Sequence, residues 1–344
     1  MATQKDIAIK LGVSPSLVSR ALSGSAAEIG ARPETVQRIR ELAIRLHYRP
    51  SAAALALRGT PTKMLGVIIK NFNDPFFGQL IGELQQLASS KEYSIVLAGC
   101  IPRDSQRVDF GSLLKYRLDG VVVAGSDFVP EGLEAFSTQG IPLVQIGAGS
   151  SHLRINRVTM DEQLGIRQLI DYLGKLGHRD IGYIGDDSAL CVRREQLIRE
   201  ALRNSGLTER PNALARVLGN KPNTGYRAMR KLLARCRGLL PTAVIGADDS
   251  IAQAGLRALY EQSISVPGEV SLAGIDDIPS AQLMIPALTT LRQPIKELIR
   301  EAFHLLTSAS RLRNETVGAE IFVAPELIIR ESCKSPRHRQ RSHE

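Results

Sequence analysis

Apolar positions in the first sixty residues recur with a helical period. Ile7, Ala8 and Leu11 share one face of a segment opened by Thr3 and closed by Gly12. Thr3 with Asp6 three residues on forms a reciprocal N-terminal cap, and Gly12 supplies the left-handed residue that ends a helix. Ser14 caps a second helix with Pro15 at its first position, where the missing N–H costs nothing. Val18 and Leu22 face inward, leaving Pro15, Ser16, Ser19 and Arg20 outward. After a loop at Ser23–Gly30, a third helix runs Pro33–Leu46 on a stripe of Val36, Ile39, Ala43 and Leu46; Arg32 is a poor cap and predicts fraying there.

From Lys63 the period changes. Met64–Ile69 is a continuous apolar run, as in a strand buried on both faces, and Asp74-Pro75 opens a helix to about Lys91. Strands at Ser94–Ala98, Gly120–Val123 and Leu143–Ile146 then alternate with helices at Ser105–Tyr116 and Glu131–Gln139. A second series places strands at Ile181–Ile184, Arg216–Leu218, Ala243–Ile245, Ser271–Gly274 and Leu288–Leu291. Its helices are Glu162–Leu176, Val192–Asn204, Thr224–Ala234 and Ser250–Ser263, followed by Ile295–Leu312 and a last strand pair near Ile321–Val323 and Leu327–Ile329. Alternation on this scale means parallel sheets covered by helices, and too many units for one sheet. The expected fold class is an all-α helix-turn-helix headpiece plus an α/β core of two doubly wound parallel-sheet lobes with a cleft between them.

Composition changes the picture only when located. The chain of 344 residues is 43% hydrophobic and 23% charged, with no Trp, which suits a soluble globular protein of two or three domains. Residues 1–60 hold nine Lys/Arg against four Asp/Glu, a net +5, and residues 330–344 hold five against two, a net +3. The overall charge is +9, so the long middle carries +1. A basic head on a nearly neutral body is the footprint of a nucleic-acid module attached to something else. Hydroxyls and a guanidinium on the second helix suit phosphates and a guanine edge in the major groove. No apolar run reaches a membrane span and no secretory leader precedes Thr3, so a cytoplasmic protein is expected, nucleoid-associated through DNA.

The chemistry expected of enzymes is missing. There is no Walker loop, no Gly-x-Gly-x-x-Gly after the first core strand and no Gly-x-Ser-x-Gly elbow. Cys100, Cys191, Cys236 and Cys333 lack metal-ligand spacing, and the six histidines lack ligand or triad spacing; neither metal nor cofactor is expected. His178, after a helix-ending glycine, reads as a structural hydrogen-bonder. Gly147–Ser151 is a weak phosphate-cradle candidate. Ser51–Arg58, between Pro50 and Gly59, is either a plain linker or a short helix that folds against DNA and a second copy.

Together these residues resemble a family. Asp6-Ile7-Ala8, Gly12-Val13-Ser14, Val18-Ser19-Arg20, Tyr48-Arg49-Pro50-Ser51-Ala52 and Pro75-Phe76-Phe77 are similar to the LacI/GalR bacterial transcriptional regulators. So are Leu176-Gly177-His178-Arg179, Pro241-Thr242-Ala243, Ala247-Asp248-Asp249, Gly274-Ile275-Asp276-Asp277 and Leu288-Thr289-Thr290-Leu291-Arg292-Gln293. The resemblance spans residues 3–330. It implies a homodimer on a pseudo-palindromic operator in double-stranded DNA, and a core like that of periplasmic sugar-binding proteins with a small effector between the lobes. It implies DNA contacts at Thr3, Ser14, Pro15, Ser16, Ser19 and Arg20, and at Ala54, Leu57 and Arg58 of a hinge helix, with Leu57 as minor-groove wedge or dimer packing. It implies effector contacts at Phe76, Arg194, Asn220, Asp248, Asp276 and Gln293. Each has a plainer alternative: core packing for Phe76, solvation for Arg194 or its neighbour Arg193, helix capping for Asp248 and Asp276.

Expected boundaries are a DNA-binding domain at 1–47, hinge and linker at 48–61, a two-lobed effector-binding and dimerisation core at 62–330, and a basic disordered tail at 331–344. Departures leave the effector open: Gly147-Ala148 replaces a common Asp-Arg, Asn220 a common aromatic and Asp248 a frequent Asn; on the headpiece, Leu17 stands where the family usually has Thr, so one phosphate contact is expected to be missing. The expected function is a repressor released by a sugar-like effector; the alternatives are a corepressor-dependent regulator or activator and, remotely, a free-standing solute receptor.

Overall fold

A computed structural model describes residues 2–23, 30–48, 61–99, 110–125, 130–148, 155–219, 223–236, 239–309 and 318–336. The expected hinge helix with Ala54, Leu57 and Arg58 lies outside the described residues, as do Asn220, Cys100, the 149–151 part of the glycine loop and the tail beyond Pro336. The chain divides into two compact units, Met1–Thr62 and Lys63–Glu344.

Among its described residues the first unit holds three helices: α1 (Gln4–Leu11), α2 (Pro15–Ser23) and α3 (Pro33–Arg45). Its core is small: Ile7, Ala8, Val18, Ala21, Ile39 and Ala43. The reciprocal cap forms as expected: Thr3 Oγ1 accepts from Asp6 N–H at 3.3 Å, and Asp6 Oδ2 accepts from Thr3 N–H at 2.7 Å. Those hydrogen bonds from Thr3 hold the exposed Asp6 carboxyl below its ordinary pKa. Gly12 closes α1 at φ 65°, a left-handed conformation that a side chain makes costly. No side chain caps α3 at Arg32. Arg40 Nε ties α3 to α2 by donating to the Ala21 carbonyl at 3.4 Å.

The second unit contains two six-stranded sheets. Strands β1 (Met64–Ile69), β2 (Ser94–Gly99), β3 (Gly120–Ala124), β4 (Leu143–Ile146), β5 (Asn156–Met160) and β11 (Glu320–Val323) form the first, in order β11-β5-β4-β3-β1-β2, parallel throughout. Strands β6 (Ile181–Asp186), β7 (Leu214–Val217), β8 (Ala243–Gly246), β9 (Ser271–Asp276), β10 (Thr289–Arg292) and β12 (Glu326–Ile328) form the second, in order β12-β10-β9-β8-β6-β7, with β12 antiparallel to β10. The apolar runs make physical sense here. Val67 and Ile69 enter one core cluster of the first lobe while Ile68 enters another, so both faces of β1 are buried.

Helices α4 (Pro75–Ser90), α5 (Phe110–Leu114) and α6 (Pro130–Thr138) belong to the first lobe. Helices α7 (Glu162–Lys175), α8 (Ala189–Asn204), α9 (Thr224–Cys236) and α10 (Asp249–Glu261) belong to the second. Gly225 lets α9 approach α10, because a Cβ there would strike the Ile251 carbonyl. Helix α11 (Ile295–Ala309) returns to the first lobe on Ile295, Leu298, Ile299, Ala302 and Phe303. Among the described residues the chain therefore crosses between lobes after β5, after β10 and after β11.

Three expectations need correction. The last two strands are not a pair: β11 pairs with β5 and β12 with β10, in different lobes, with Ala324-Pro325 as the crossing between them. Strand β5 was not anticipated; Asn-Arg-Val-Thr-Met reads as polar, yet Asn156, Val158, Thr159 and Met160 are all buried. The tail is ordered further than its composition suggests. Leu272 N–H donates to the Ser332 carbonyl at 2.9 Å, Ser332 Oγ donates to the Leu272 carbonyl at 2.6 Å, and Ser332 and Cys333 are buried. Hydrogen bonds to Leu272 and Ser271 of β9, to the Ala287 carbonyl and to His178 hold residues 331–334, and composition does not register such long-range pairing.

Candidate functional site

On the headpiece, Ser14 Oγ accepts from Leu17 N–H at 3.2 Å and lies 3.0 Å from Ser16 Oγ. Thr3, Ser14, Pro15, Ser16 and Arg20 are exposed. Ser19 is not: only 6% of its surface is accessible, which corrects the expected outward face. Ser19 is one residue past Val18 and two before Ala21, so it sits on the margin of the buried arc of α2.

In the body, the residues expected to meet an effector converge at the carboxyl ends of the parallel strands, where open α/β sheets bind ligands. Asp276 ends β9, Asp248 follows β8, Gln293 follows β10, and Asp74 and Phe76 follow β1. Arg194, on α8, is 3% exposed. Its Nε donates to Glu162 Oε1 at 2.8 Å, one terminal nitrogen donates to the Ala247 carbonyl at 2.5 Å, and the other lies 3.6 Å from Asp276 Oδ1. Burial opposes its charge, but Glu162 and Asp276 outweigh that and hold the guanidinium more firmly protonated than usual. Arg193, whose side chain is 46% exposed, reaches Glu162 Oε2 at 3.3 Å. Of the two arginines, Arg194 is the buried one.

The carboxyls are displaced upward. Asp248 caps α10 by accepting from Ile251 N–H at 2.6 Å, and its pKa is pushed up to about 6 by burial and by Asp74. The capping alternative thus holds for Asp248, which stays half-buried with one oxygen used. Asp276 caps no helix; Gln293 Nε2 donates to its Oδ1 at 2.6 Å, and burial with Asp248, Asp249 and Asp74 nearby raises its pKa well above the ordinary range despite Arg194. Asp74 caps α4 through Phe76 N–H at 3.0 Å and is raised by burial. Phe76 is half-buried and packs against the core clusters of both lobes.

Two participants escaped sequence reasoning. Glu162 supplies the buried counter-charge of Arg194; its place at the first position of a helix gave no such signal. Asp249, fully buried, accepts from Thr290 Oγ1 at 2.6 Å and from Ile278 N–H at 2.9 Å, and burial raises its pKa to about 7. It fixes the turn after β9, where Asp276 (φ 121°) and Asp277 (φ 58°) both have positive φ. Asp277 is clamped by Arg292 at 2.7 Å and Arg330 at 2.6 Å, and its carbonyl accepts from Gln79 Nε2 of the first lobe at 3.3 Å. An open pocket of about 770 Å³ lies beside this contact, lined by Gln79, Glu83, Asp277, Arg292 and Lys296 among others. His178 is structural, with Nδ1 2.9 Å from Thr242 Oγ1 and Nε2 donating to the Lys334 carbonyl at 3.0 Å; burial lowers its pKa.

Carboxylates thus face the cleft from both lobes, while three helix N-termini there already have side-chain acceptors: Asp74 on α4, Ser188 on α8 and Asp248 on α10. Such a site exchanges hydrogen bonds with neutral polar groups and disfavours anions. Among the described residues no group of three or more His, Cys, Asp or Glu could hold a metal ion, and no helix is long and apolar enough to cross a membrane.

Residues 170–333 match the periplasmic binding protein-like domain. The repressor PurR of Pectobacterium carotovorum subsp. carotovorum is 31% identical over 340 residues, covering 96% of this chain and 97% of that protein. The chain belongs to the LacI/GalR family of bacterial transcriptional regulators. PurR of Histophilus somni, a further member, is 28% identical over 97% of this chain and 100% of its own length. The transcriptional regulator CelR, solved with cellobiose, superposes with a TM-score of 0.69 at 26% identity, covering 97% of this chain and 100% of its own. The Lac repressor dimer bound to operator and an anti-inducer shares the fold, with a TM-score of 0.80 at 21% identity, covering 96% and 98%. Membership makes this chain a DNA-binding transcriptional regulator with a small-molecule effector.

Proposed function

We propose that the protein is a repressor that binds a pseudo-palindromic operator as a homodimer and releases it when an uncharged, hydroxyl-rich small molecule enters the cleft. Pro15, Ser16 and Arg20 read bases, and Thr3 and Ser14 contact phosphates, from the exposed positions they occupy. Ser19 acts from the margin of the buried arc, and Ala54, Leu57 and Arg58 complete the contacts from the hinge. Second-copy docking is supported by large apolar side chains on the body's surface, Leu283 at 77% and Ile285 at 93% exposed.

The observation that carries the effector reading is the charge of the cleft. Arg194 is buried, its charge is met by Glu162 and Asp276, and it also donates to the Ala247 carbonyl, so it offers little to an anionic ligand. Asp74, Asp248 and Asp276 instead offer carboxyls that, with their raised pKa values, exchange hydrogen bonds with hydroxyls in either direction. Phe76, Asp248, Asp276, Gln293 and Arg194, with Asn220, form the ligand's surroundings. Donors bridging Asp74 and Asp248 favour a closer approach of the lobes, and a ligand moves the DNA equilibrium only by what it gains in one state over the other.

A thermal-shift panel tests this: glucose, cellobiose and inositol as uncharged members, gluconate and glucose 6-phosphate as anionic ones. A ligand of the folded state raises the melting temperature. The expected active compounds come from the uncharged set and its homologues. A shift produced by the anionic members alone would overturn the reading.

A further inference from the structure

Strand β7 is the outer edge of the second lobe's sheet, and its sequence is a hazard. Ala213-Leu214-Ala215-Arg216-Val217-Leu218 is apolar apart from Arg216, and Leu218 is 76% exposed. An edge strand of this kind presents alternate backbone groups to any other extended chain.

In this molecule those carbonyls are taken. Arg227 donates to the Leu218 carbonyl at 3.3 Å, Lys231 to the Arg216 carbonyl at 2.6 Å, and Arg235 to the Leu214 carbonyl at 3.1 Å. The donors are four residues apart on α9, and the acceptors are two apart along β7 and the residue that follows it, running in opposite directions, as a strand and its returning helix must. Four residues of helix rise about 6.0 Å and two residues of parallel strand about 6.6 Å, so the two repeats stay in step across three rungs. The residues of α9 carry four cations and no acid. Cys236 Sγ adds a weaker contact to the Asn212 carbonyl at 3.6 Å.

We infer that Arg227, Lys231 and Arg235 form a ladder that closes the β7 edge against strand addition, including addition of a second copy's β7. Self-association of this chain is thereby confined to its other faces. The side chains cover the edge with charge-assisted hydrogen bonds that an incoming backbone would have to displace.

The test uses the full chain with the triple change Arg227→Ala, Lys231→Ala and Arg235→Ala, followed by sedimentation at rising concentration. The expected result is a weight-average mass that climbs about twofold or more above the wild type, as an open edge pairs. A variant with the cations exchanged, Arg227→Lys, Lys231→Arg and Arg235→Lys, keeps its donors and is expected to sediment as wild type. Removing three exposed cations elsewhere, Lys175, Arg179 and Arg300 to Ala, controls for charge and is expected to leave the mass unchanged. Wild-type sedimentation of the triple alanine variant, or equal assembly of the control, overturns the inference. If the triple variant does not fold, Lys231→Ala alone is read by amide hydrogen exchange across 212–219, where faster exchange supports the ladder and wild-type exchange contradicts it.

Discussion

The two walls of the cleft are built differently. The first lobe contributes little: a helix cap, Asp74, and one half-buried ring, Phe76, with Gln79 one turn further along the same helix. The second lobe contributes a buried chain of Glu162, Arg194 and Asp276 that reaches Gln293 at the crossing, with Asp248 capping α10 and the buried Asp249 fixing the turn beside it. One wall is preorganised by its own charges, and the other meets it through few contacts. Under the proposed function this difference divides recognition from movement: the second lobe holds the ligand's partners in place, and the first closes on them.

The largest expected effect breaks the rigid wall. Arg194→Met leaves Asp276 without its counter-charge and Glu162 with only the half-exposed Arg193, and should cost about 3–5 kcal/mol of the body's stability in urea denaturation. Asp249→Asn sharpens the same point through pH. Asp249 has a pKa of about 7 in the folded chain against an ordinary 3.8. Between those values the folded state holds a proton the unfolded state has lost, so the wild type loses stability relative to the variant as pH rises from about 4 through about 7. Melting curves of both proteins across that range should diverge in that direction. The smallest effect falls on the lighter wall. Gln79→Met removes one hydrogen bond to the Asp277 carbonyl and should cost about 0.5–1.5 kcal/mol at most, while shifting how far the operator and the cleft ligand oppose each other. Unchanged opposition in a titration of both ligands would show that the first lobe seats elsewhere.

Much of this was legible in the residues. Thr3, Asp6, Gly12, Ser14 and Pro15 specify the headpiece because caps and left-handed turns are local chemistry. Two sheets followed from alternating apolar runs, since a strand buried on both faces has no polar side to confuse it. What was lost depended on partners far along the chain. Strand β5 looks polar because Asn156 is buried to accept from the N–H groups of Gly318 and Ala319, at 3.1 Å each. Residues 331–334 look like tail because their order comes from hydrogen bonds to β9, Ala287 and His178, all distant in sequence. The choice between Arg193 and Arg194 was available: Arg194 lies three residues after Cys191 and four before Ile198, on the buried face of α8. Glu162 could not be found that way, for its role exists only once α7 and α8 are packed.

The central claim is that the headpiece holds a particular duplex and the cleft decides when. Its most direct test is the affinity of the full chain for a palindromic duplex selected from a random pool, measured at fixed salt against a scrambled duplex, with and without the compound that raises the melting temperature. The account predicts preference for the selected duplex by about 10³-fold or more, and weakening by about 5- to 150-fold when the compound is present. Equal affinity for both duplexes, unmoved by the compound, would contradict it.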